Sequence, residues 1–289
     1  MSTSPATAPA GRSRRIRLVA LDLDGTVVGD DLRIRPRTVA AVRAAVDAGV
    51  AVAIVTGRMT SSALPFAREL GLRGPIVGMQ GALIREMPAP GRPGLGRLLY
   101  HRPLPAVVVR EALAWCRAHG LEPHLNHLER MVVLAGDSRA AEYVRFNAGR
   151  VVMVPDLDAW VRHPVTKVIS VGDAPLPTRL LPGARADFAG RADVTVSHPK
   201  FLEFVAPGVS KGAAVRWLAR RLGIDLRDTL AIGDQLNDLE MIEEAGLGVA
   251  MPHGPAELLE AAALVAPSFE EDGVAQVLEA YLLGGRPAA

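Results

Sequence analysis

Asp22 and Asp24 stand two residues apart at the end of the largely apolar run Ile16–Leu21, with Gly25 and Thr26 directly behind them. An extended chain points residues i and i+2 to the same side, so both carboxylates face one point in space. Two like charges about 4 Å apart repel by roughly 4 kcal/mol at an effective dielectric of about 20, and a divalent cation is the natural counter-charge. Gly25 permits a sharp backbone turn, and the Thr26 hydroxyl can bond to the turn it opens. The plainer reading is an Asx-type surface turn after a strand. Other polar signals bear on the choice: Thr56-Gly57-Arg58, Ser210-Lys211-Gly212 and Gly233-Asp234-Gln235-Leu236-Asn237-Asp238. Together they would set acids, a hydroxyl and an ammonium at strand ends and helix starts. Of 33 basic residues only Lys167, Lys200 and Lys211 are lysine, so a compact ammonium at position 211 stands out. Taken alone, Asp234, Asn237 and Asp238 would simply cap the helix they precede.

The elements around these residues predict where they sit. Pro36–Ala48 reads as a helix with Pro at its start and Gly49 at its stop, followed by a short apolar strand, Val50–Val55. A second helix over Ser61–Leu70 leads through Gly71 and Gly74-Pro75 to a strand at Ile76–Met79. This βαβαβ order predicts an open parallel sheet with helices on both faces and ligands at the carboxyl ends of its strands. The Pro/Gly-rich stretch 85–97 then reads as a hinge or domain boundary. Beyond it, strand-like segments (98–101, 131–134, 151–154, 165–171, 194–197) alternate with helical ones (105–119, 138–148, 177–183). The expected fold is therefore a Rossmann-like parallel core over residues 16–84 and 198–289 with an inserted α/β cap domain over 85–197. Phe201–Ala206 resumes the core, ahead of a helix at Lys211–Leu222 and strands at Thr229–Ile232 and Gly248–Met251. Every polar signal then falls on one sheet edge.

Composition narrows the class. The 289 residues are 49% apolar and 22% charged with a formal net charge of +2, which gives no reason to expect a nucleic-acid surface. Residues 1–15, with Arg12, Arg14 and Arg15 among Ser, Thr, Pro and Ala, read as a disordered tail. No stretch approaches 18 apolar residues, so no membrane span or secretory leader is expected. The single cysteine, Cys116, lies in an apolar helical context and forms no internal disulfide, which fits a cytoplasmic protein, as a monomer or weak homo-oligomer.

The motifs DxDGT (from Asp22), T-G-R (from Thr56), Ser210-Lys211-Gly212 and GDxxND (from Gly233), in that order and with a domain inserted between the second and third, resemble the haloacid dehalogenase-like hydrolase superfamily. The stretch Phe201–Gly212 and the late Glu271-Asp272-Gly273-Val274-Ala275 are similar to its Cof-type branch, which carries an α/β cap in that insertion. The resemblance runs from Leu21 to Ala275. It implies a Mg²⁺-dependent phosphatase acting on small phosphorylated metabolites, such as sugar phosphates or phosphorylated cofactors. It further implies Asp22 as the nucleophile, passing through an aspartyl-phosphate. Mg²⁺ would be held by the Asp22 carboxylate, the Asp24 backbone carbonyl and Asp234, with Asp238 as a further ligand or an orienting group. Asp24 would protonate the leaving alcohol and then activate water, which needs a protonated side chain that a crowd of carboxylates around it favours. Thr56 would bind phosphoryl oxygens, and Lys211 would supply fixed positive charge at a helix start.

Gly57, Arg58, Gln80, Asn237 and Lys167 complete the expected substrate-binding set. Arg58 has two readings, a phosphate contact or a side chain snorkelling at the domain interface. Lys167 likewise either reaches a substrate anion or is solvated. Two departures from the family pattern stand out: Gln80-Gly81-Ala82 where Asn-Gly-Ala is usual, and Pro252-His253-Gly254 where Gly-Asn-Ala is usual. His124 and His127 flank an apparent loop without a third ligand, and Trp115, Trp160 and Trp217 read as packing residues. Two rival functions remain: a sugar phosphomutase with a similar capped fold, and a non-enzymatic phospho-ligand-binding or signalling module. The second is disfavoured because a receiver-type acidic pair precedes a separate acceptor strand, whereas here both carboxylates share one strand end.

Overall fold

Alternation within strand β1 (Leu18–Leu21) decides the layering. All four side chains are buried, and successive ones point to opposite faces. Val19 and Leu21 pack with Val42 and Ala45 of the helix Pro36–Asp47 and with Val274 and Leu278 of the helix Gly273–Leu282. Leu18 and Ala20 pack on the other side with Val215 and Leu218 of the helix Lys211–Leu222 and with Met241. A strand covered on both faces is what an apolar run in a parallel sheet requires. Each large side chain so buried contributes about 1.5–3 kcal/mol. The computed structural model describes residues 15–137 and 150–284. The tail up to residue 14 and the helix expected over Ser138–Ala148 lie outside the described residues.

β1 pairs in parallel with β2 (Ala51–Ile54) on one side and with β12 (Thr229–Gly233) on the other. β13 (Leu247–Ala250) and β14 (Leu264–Val265) extend the sheet beyond β12, giving the order β14-β13-β12-β1-β2. The chain leaves β1 toward β2 and returns much later to β12 on its other flank. The crevice at the carboxyl end of β1 is therefore the switch point where open α/β sheets bind ligands. Asp22 follows β1 directly there, its backbone N–H donating to the Ile232 carbonyl at 3.0 Å.

The second layer is a six-stranded sheet ordered β10-β11-β9-β6-β7-β8. Its strands are β6 (Glu122–His127), β7 (Arg130–Leu134), β8 (Arg150–Val154), β9 (Lys167–Val171), β10 (Asp193–His198) and β11 (Phe201–Val205). On β11, Leu202 and Phe204 face the helices, where Phe204 meets Phe188 and Trp115 edge-on at 4.9 and 6.0 Å. Phe201, Glu203 and Val205 occupy the opposite face.

Three expectations change. The Pro/Gly-rich stretch 85–97 is no hinge: it closes a hairpin between β4 (Leu83–Arg85) and β5 (Leu98–His101), which with β3 (Ile76–Gly78) forms a three-stranded sheet. A parallel bridge from Val55 to Val77 ties β3 to β2, so this hairpin belongs with the core. Turn chemistry serves a hairpin as readily as a domain boundary. Phe201–Val205, expected to resume the core, is instead an inner strand of the second sheet, paired antiparallel with both β10 and β9. An apolar run reads the same in either buried sheet. By sheet membership the inserted layer begins near Leu104, bridged to Val165, and ends at Val205. Finally, β6 is a strand where a loop was expected. Its Pro123 pairs with Ser170 of β9 but lies outside the register with β7, which starts at Leu125, so its missing N–H breaks no ladder there.

Candidate active site

Ser210 caps the helix Lys211–Leu222, its hydroxyl accepting from the Ala213 N–H at 2.9 Å, and Gly223 ends that helix in the left-handed region. Lys211 is thus fixed as the first helical residue, and its side chain is 1% exposed. Its Nζ donates to Asp22 Oδ1 at 2.5 Å and to Asp238 Oδ1 at 2.6 Å. The other Asp238 oxygen accepts from the backbone N–H groups of Asp234 and Gln235 at 3.1 and 3.0 Å. Asp238 therefore closes the turn before it while facing the lysine, and makes no side-chain cap bond to the helix Leu239–Glu244 that it was expected to cap. Asp234 is held more loosely, with Thr26 Oγ1, His253 Nε2 and Gln235 Nε2 at 3.3, 3.3 and 3.4 Å. Gly25, at φ +80°, lies against it: a Cβ there would fall 2.3 Å from Asp234 Oδ2.

Asp22, Asp234 and Asp238 bring carboxylate oxygens within 4.8 Å of one another, all three buried. One ammonium against three carboxylates leaves an excess of negative charge away from water. Burial first, and then Asp238, push the Asp22 carboxyl well above the ordinary range, with Asp234 adding to the rise and Lys211 opposing it. Asp238 is raised as well, by burial and by Asp234 against the pull of Lys211. Burial alone would lower the Lys211 ammonium, but Asp22 and Asp238 together outweigh it and raise it. Hard oxygen donors converging with surplus negative charge fit a divalent cation.

Asp24 departs from expectation. Its carboxylate lies outside the acidic cluster and is gripped by Arg58, with Nε donating to Oδ2 at 2.7 Å and Nη2 to Oδ1. The expected crowd of carboxylates surrounds Asp22 instead. Strand alternation alone did not foresee this, because the group that orients the Asp24 carboxylate is Arg58, 34 residues away. Arg58 is 7% exposed and sits over the Phe66 ring at 5.5 Å, so its role here is an ion pair at the site rather than snorkelling. Thr56 accepts from the Arg58 backbone N–H at 3.1 Å.

The remaining expected residues form a second cluster facing the first. Lys167, 1% exposed, donates to the Gly57 carbonyl at 2.8 Å and to Glu203 Oε2 at 3.0 Å, so it is neither solvated nor free for an anion in this state. Gln80 Nε2 donates to the same Glu203 oxygen at 2.9 Å, and Asn237 Nδ2 donates to Gln80 Oε1 at 3.0 Å. Gly57 makes room for this: a Cβ would come 2.6 Å from Gln80 Nε2. A cavity of about 70 Å³ between the clusters is lined by Asp22, Asp24, Thr56, Arg58, Lys167 and Glu203, among others. A roomier one of about 480 Å³ opens on the far side of Asp24, lined by Val28, Leu32, Ser197, His198, Asp234 and His253. Glu203 is the residue the sequence reading passed over. The available signal was a lone carboxylate inside Phe-Leu-Glu-Phe-Val.

Other candidates are set aside. His124 and His127 lie three apart on β6 and so on opposite faces; His124 meets Asp137 at 3.4 Å and His127 the Pro164 carbonyl. Cys116 is buried and its thiol is pushed up to about 12, chiefly by burial, which makes it a packing residue. No helix among the described residues is long and apolar enough to cross a membrane.

A parallel sheet with acids, a threonine and a lysine gathered at its switch point under a second α/β layer defines a class, and comparison with known proteins agrees. The chain matches the haloacid dehalogenase-like hydrolase family model over residues 19–278 and belongs to that family. It is 29% identical over 274 residues to a Bacillus subtilis 5-amino-6-(5-phospho-D-ribitylamino)uracil phosphatase, YitU, covering 91% of this chain and 97% of that one. It is 28% identical over 268 residues to the HMP-PP phosphatase of Serratia proteamaculans, covering 92% and 95%. Among solved structures, a haloacid dehalogenase-like hydrolase from Bacteroides thetaiotaomicron superposes with a TM-score of 0.77 at 28% identity, covering 92% of this chain and 99% of that one.

Proposed function

We propose that this protein is a Mg²⁺-dependent phosphatase that hydrolyses small phosphorylated metabolites through an aspartyl-phosphate on Asp22. The observation that carries the reading is Asp22 itself: a buried carboxylate at the switch point, held by Lys211 at 2.5 Å and grouped with Asp234 and Asp238. Relatives named for phosphatase activity on a ribityl compound and on HMP-PP support the substrate class. Asp22, Asp234 and Asp238 would hold the metal, with the Asp24 carbonyl joining them. When bound, Mg²⁺ supplies the positive charge that lets an anionic nucleophile meet a phosphate dianion.

An Asp22 oxygen attacks phosphorus as the bond to the leaving oxygen breaks, and Asp24 delivers a proton to that oxygen. Water then attacks the aspartyl-phosphate, giving its proton to Asp24 and releasing inorganic phosphate and free Asp22. Thr56 and Lys211 hold phosphoryl oxygens during both steps. Because both Asp24 oxygens accept from Arg58, Asp24 first leaves that grip and takes a proton from solvent, and that is the proton it delivers. The inserted layer excludes water, and the cavity beyond Asp24 takes the leaving group.

Purified protein is expected to hydrolyse p-nitrophenyl phosphate with Mg²⁺ and to stop on adding EDTA. Asp22→Asn is expected to abolish turnover. An Asp22→Asn enzyme at full rate would refute the nucleophile assignment.

A further inference from the structure

Glu203 is a carboxylate on an inner strand of the inserted layer, 1% exposed. Ser197 Oγ donates to its Oε1 at 2.6 Å, while Gln80 Nε2 and Lys167 Nζ donate to its Oε2 at 2.9 and 3.0 Å. Two of these partners reach onward into the core. Lys167 also donates to the carbonyl of Gly57, the residue after Thr56. Gln80 also accepts from Asn237, which lies in the loop between Asp234 and Asp238. The Gln80 backbone is strained to match: Met79 and Gln80 both adopt the left-handed region, with φ of 53° and 59°. The strained turn presents the amide between Asn237 and Glu203, in a gap that Gly57 keeps open. Asn237 Oδ1 is itself buried with no hydrogen-bond partner among the described residues, and Asn237 lines the cavity beside Asp22 and Thr56.

We propose that Glu203 is a positioning residue for the phosphate subsite, acting from the inserted layer on two core loops at once. Through Lys167 it holds the Thr56-Gly57 turn, and through Gln80 it holds Asn237. The Lys167–Glu203 pair is neutral as a unit and satisfied on both ends, so it has no surplus charge to spend on substrate. Its effect is to fix donors that a phosphate meets only when the inserted layer is docked.

This inference rests on the phosphatase reading, and its test separates the two. Turnover of p-nitrophenyl phosphate by the wild type, absent in Asp22→Asn, checks the reading itself. Given that activity, inorganic phosphate is titrated as a competitive inhibitor against Glu203→Gln. Losing one buried hydrogen-bonded anchor is expected to raise Ki for phosphate and KM for the ester together, each by about tenfold. A residue needed only for folding would lower the active fraction, so Vmax would fall at unchanged Ki, and that result overturns the proposal. If Glu203→Gln does not fold, because it leaves Lys167 buried and unpaired, Gln80→Met decides. It cuts the core-side link but spares the Lys167–Glu203 pair. A raised Ki in Gln80→Met supports the proposal, and a wild-type Ki refutes it.

Discussion

Lys211 and Lys167 are both 1% exposed and both bonded to buried carboxylates, yet their surroundings differ in charge. Lys211 bonds to Asp22 and Asp238 while Asp234 stands close by, so its cluster carries surplus negative charge. Lys167 answers to Glu203 and a neutral carbonyl, so its cluster is balanced. Burying ions costs several kcal/mol each and is tolerated only where partners compensate. A balanced cluster is already compensated and can serve as a fastening. An unbalanced one still needs a cation, and that unmet need is what the proposed chemistry uses. The same residue type thus does two jobs, separated by the count of neighbouring carboxylates.

The largest expected effect breaks the comparison most directly. Lys211→Met is expected to lower kcat for p-nitrophenyl phosphate by about 10³, as for loss of a fixed charge beside a transition state. Lys167→Met is expected to lower kcat/KM by only about tenfold, but to destabilise by about 3–5 kcal/mol, since Glu203 is left buried without its counter-ion. Chemical denaturation and steady-state kinetics on both variants would show the crossing order. Equal kinetic losses would mean the two clusters do not divide the work.

The charge surplus also sets the pH response. Asp22 and Asp238 have folded-state pKa values raised above their unfolded ones. The folded metal-free protein therefore keeps protons that the unfolded chain has lost, and its stability falls as pH rises from the ordinary carboxylate range, about 4, through the raised values. A bound cation replaces those protons. Mg²⁺ at a hundredfold excess over Kd is expected to stabilise by about 2.7 kcal/mol, and the apparent affinity grows with pH over the same window. Thermal melts at pH 5 and pH 8 with and without Mg²⁺ should show the larger rise in Tm at pH 8. An equal rise at both would remove the charge-surplus argument.

Much of this contrast was legible in the sequence on one side and not on the other. Asp22, Thr56, Lys211 and Asp234 each follow a strand or open a helix, and parallel topology gathers such positions at one edge whatever the details of packing. The helix Lys211–Leu222 was equally plain, because a serine cap and a terminal glycine bracket an amphipathic run. The Lys167–Glu203 cluster was hidden because it depends on which sheet owns β11. Period-2 alternation says that Glu203 opposes Leu202 and Phe204, but not what lies on either side. Asp24 was misjudged for a related reason. Its side chain is placed by Arg58, a contact 34 residues apart that no local pattern encodes.

Gly57 sharpens the comparison from the balanced side. Gly57→Ala would put a Cβ 2.6 Å from Gln80 Nε2 and push the amide off Glu203 without touching any charge. Overpacking of this kind costs about 1–3 kcal/mol. The expected kinetic loss is about fivefold in kcat/KM, less than for Lys167→Met, because one hydrogen bond worth about 1 kcal/mol is lost and no ion is stranded. Kinetics on the two variants side by side would test the ranking, and a loss as large as that of Lys211→Met would move Gly57 into contact with the reacting groups.

The smallest effect is expected at His253, on the unbalanced side but at its rim. The imidazole is 47% exposed and meets Asp234 Oδ2 at 3.3 Å, and the Asp234 hydrogen bond raises its pKa. The other side-chain contacts on that carboxylate, from Thr26 and Gln235, are equally long at 3.3 and 3.4 Å, whereas Asp238 is held at 2.6–3.1 Å. A carboxylate so loosely tied takes its orientation from a cation more than from its neighbours, and a half-exposed hydrogen bond contributes at most about 1 kcal/mol. His253→Asn is therefore expected to weaken Mg²⁺ binding, read by calorimetric titration, by no more than about fivefold. A loss of a hundredfold would place the imidazole within the ligand set. The surplus at the acidic cluster would then be met partly by a nitrogen donor, and the division between Lys211 and Lys167 would have to be redrawn around three side chains instead of two.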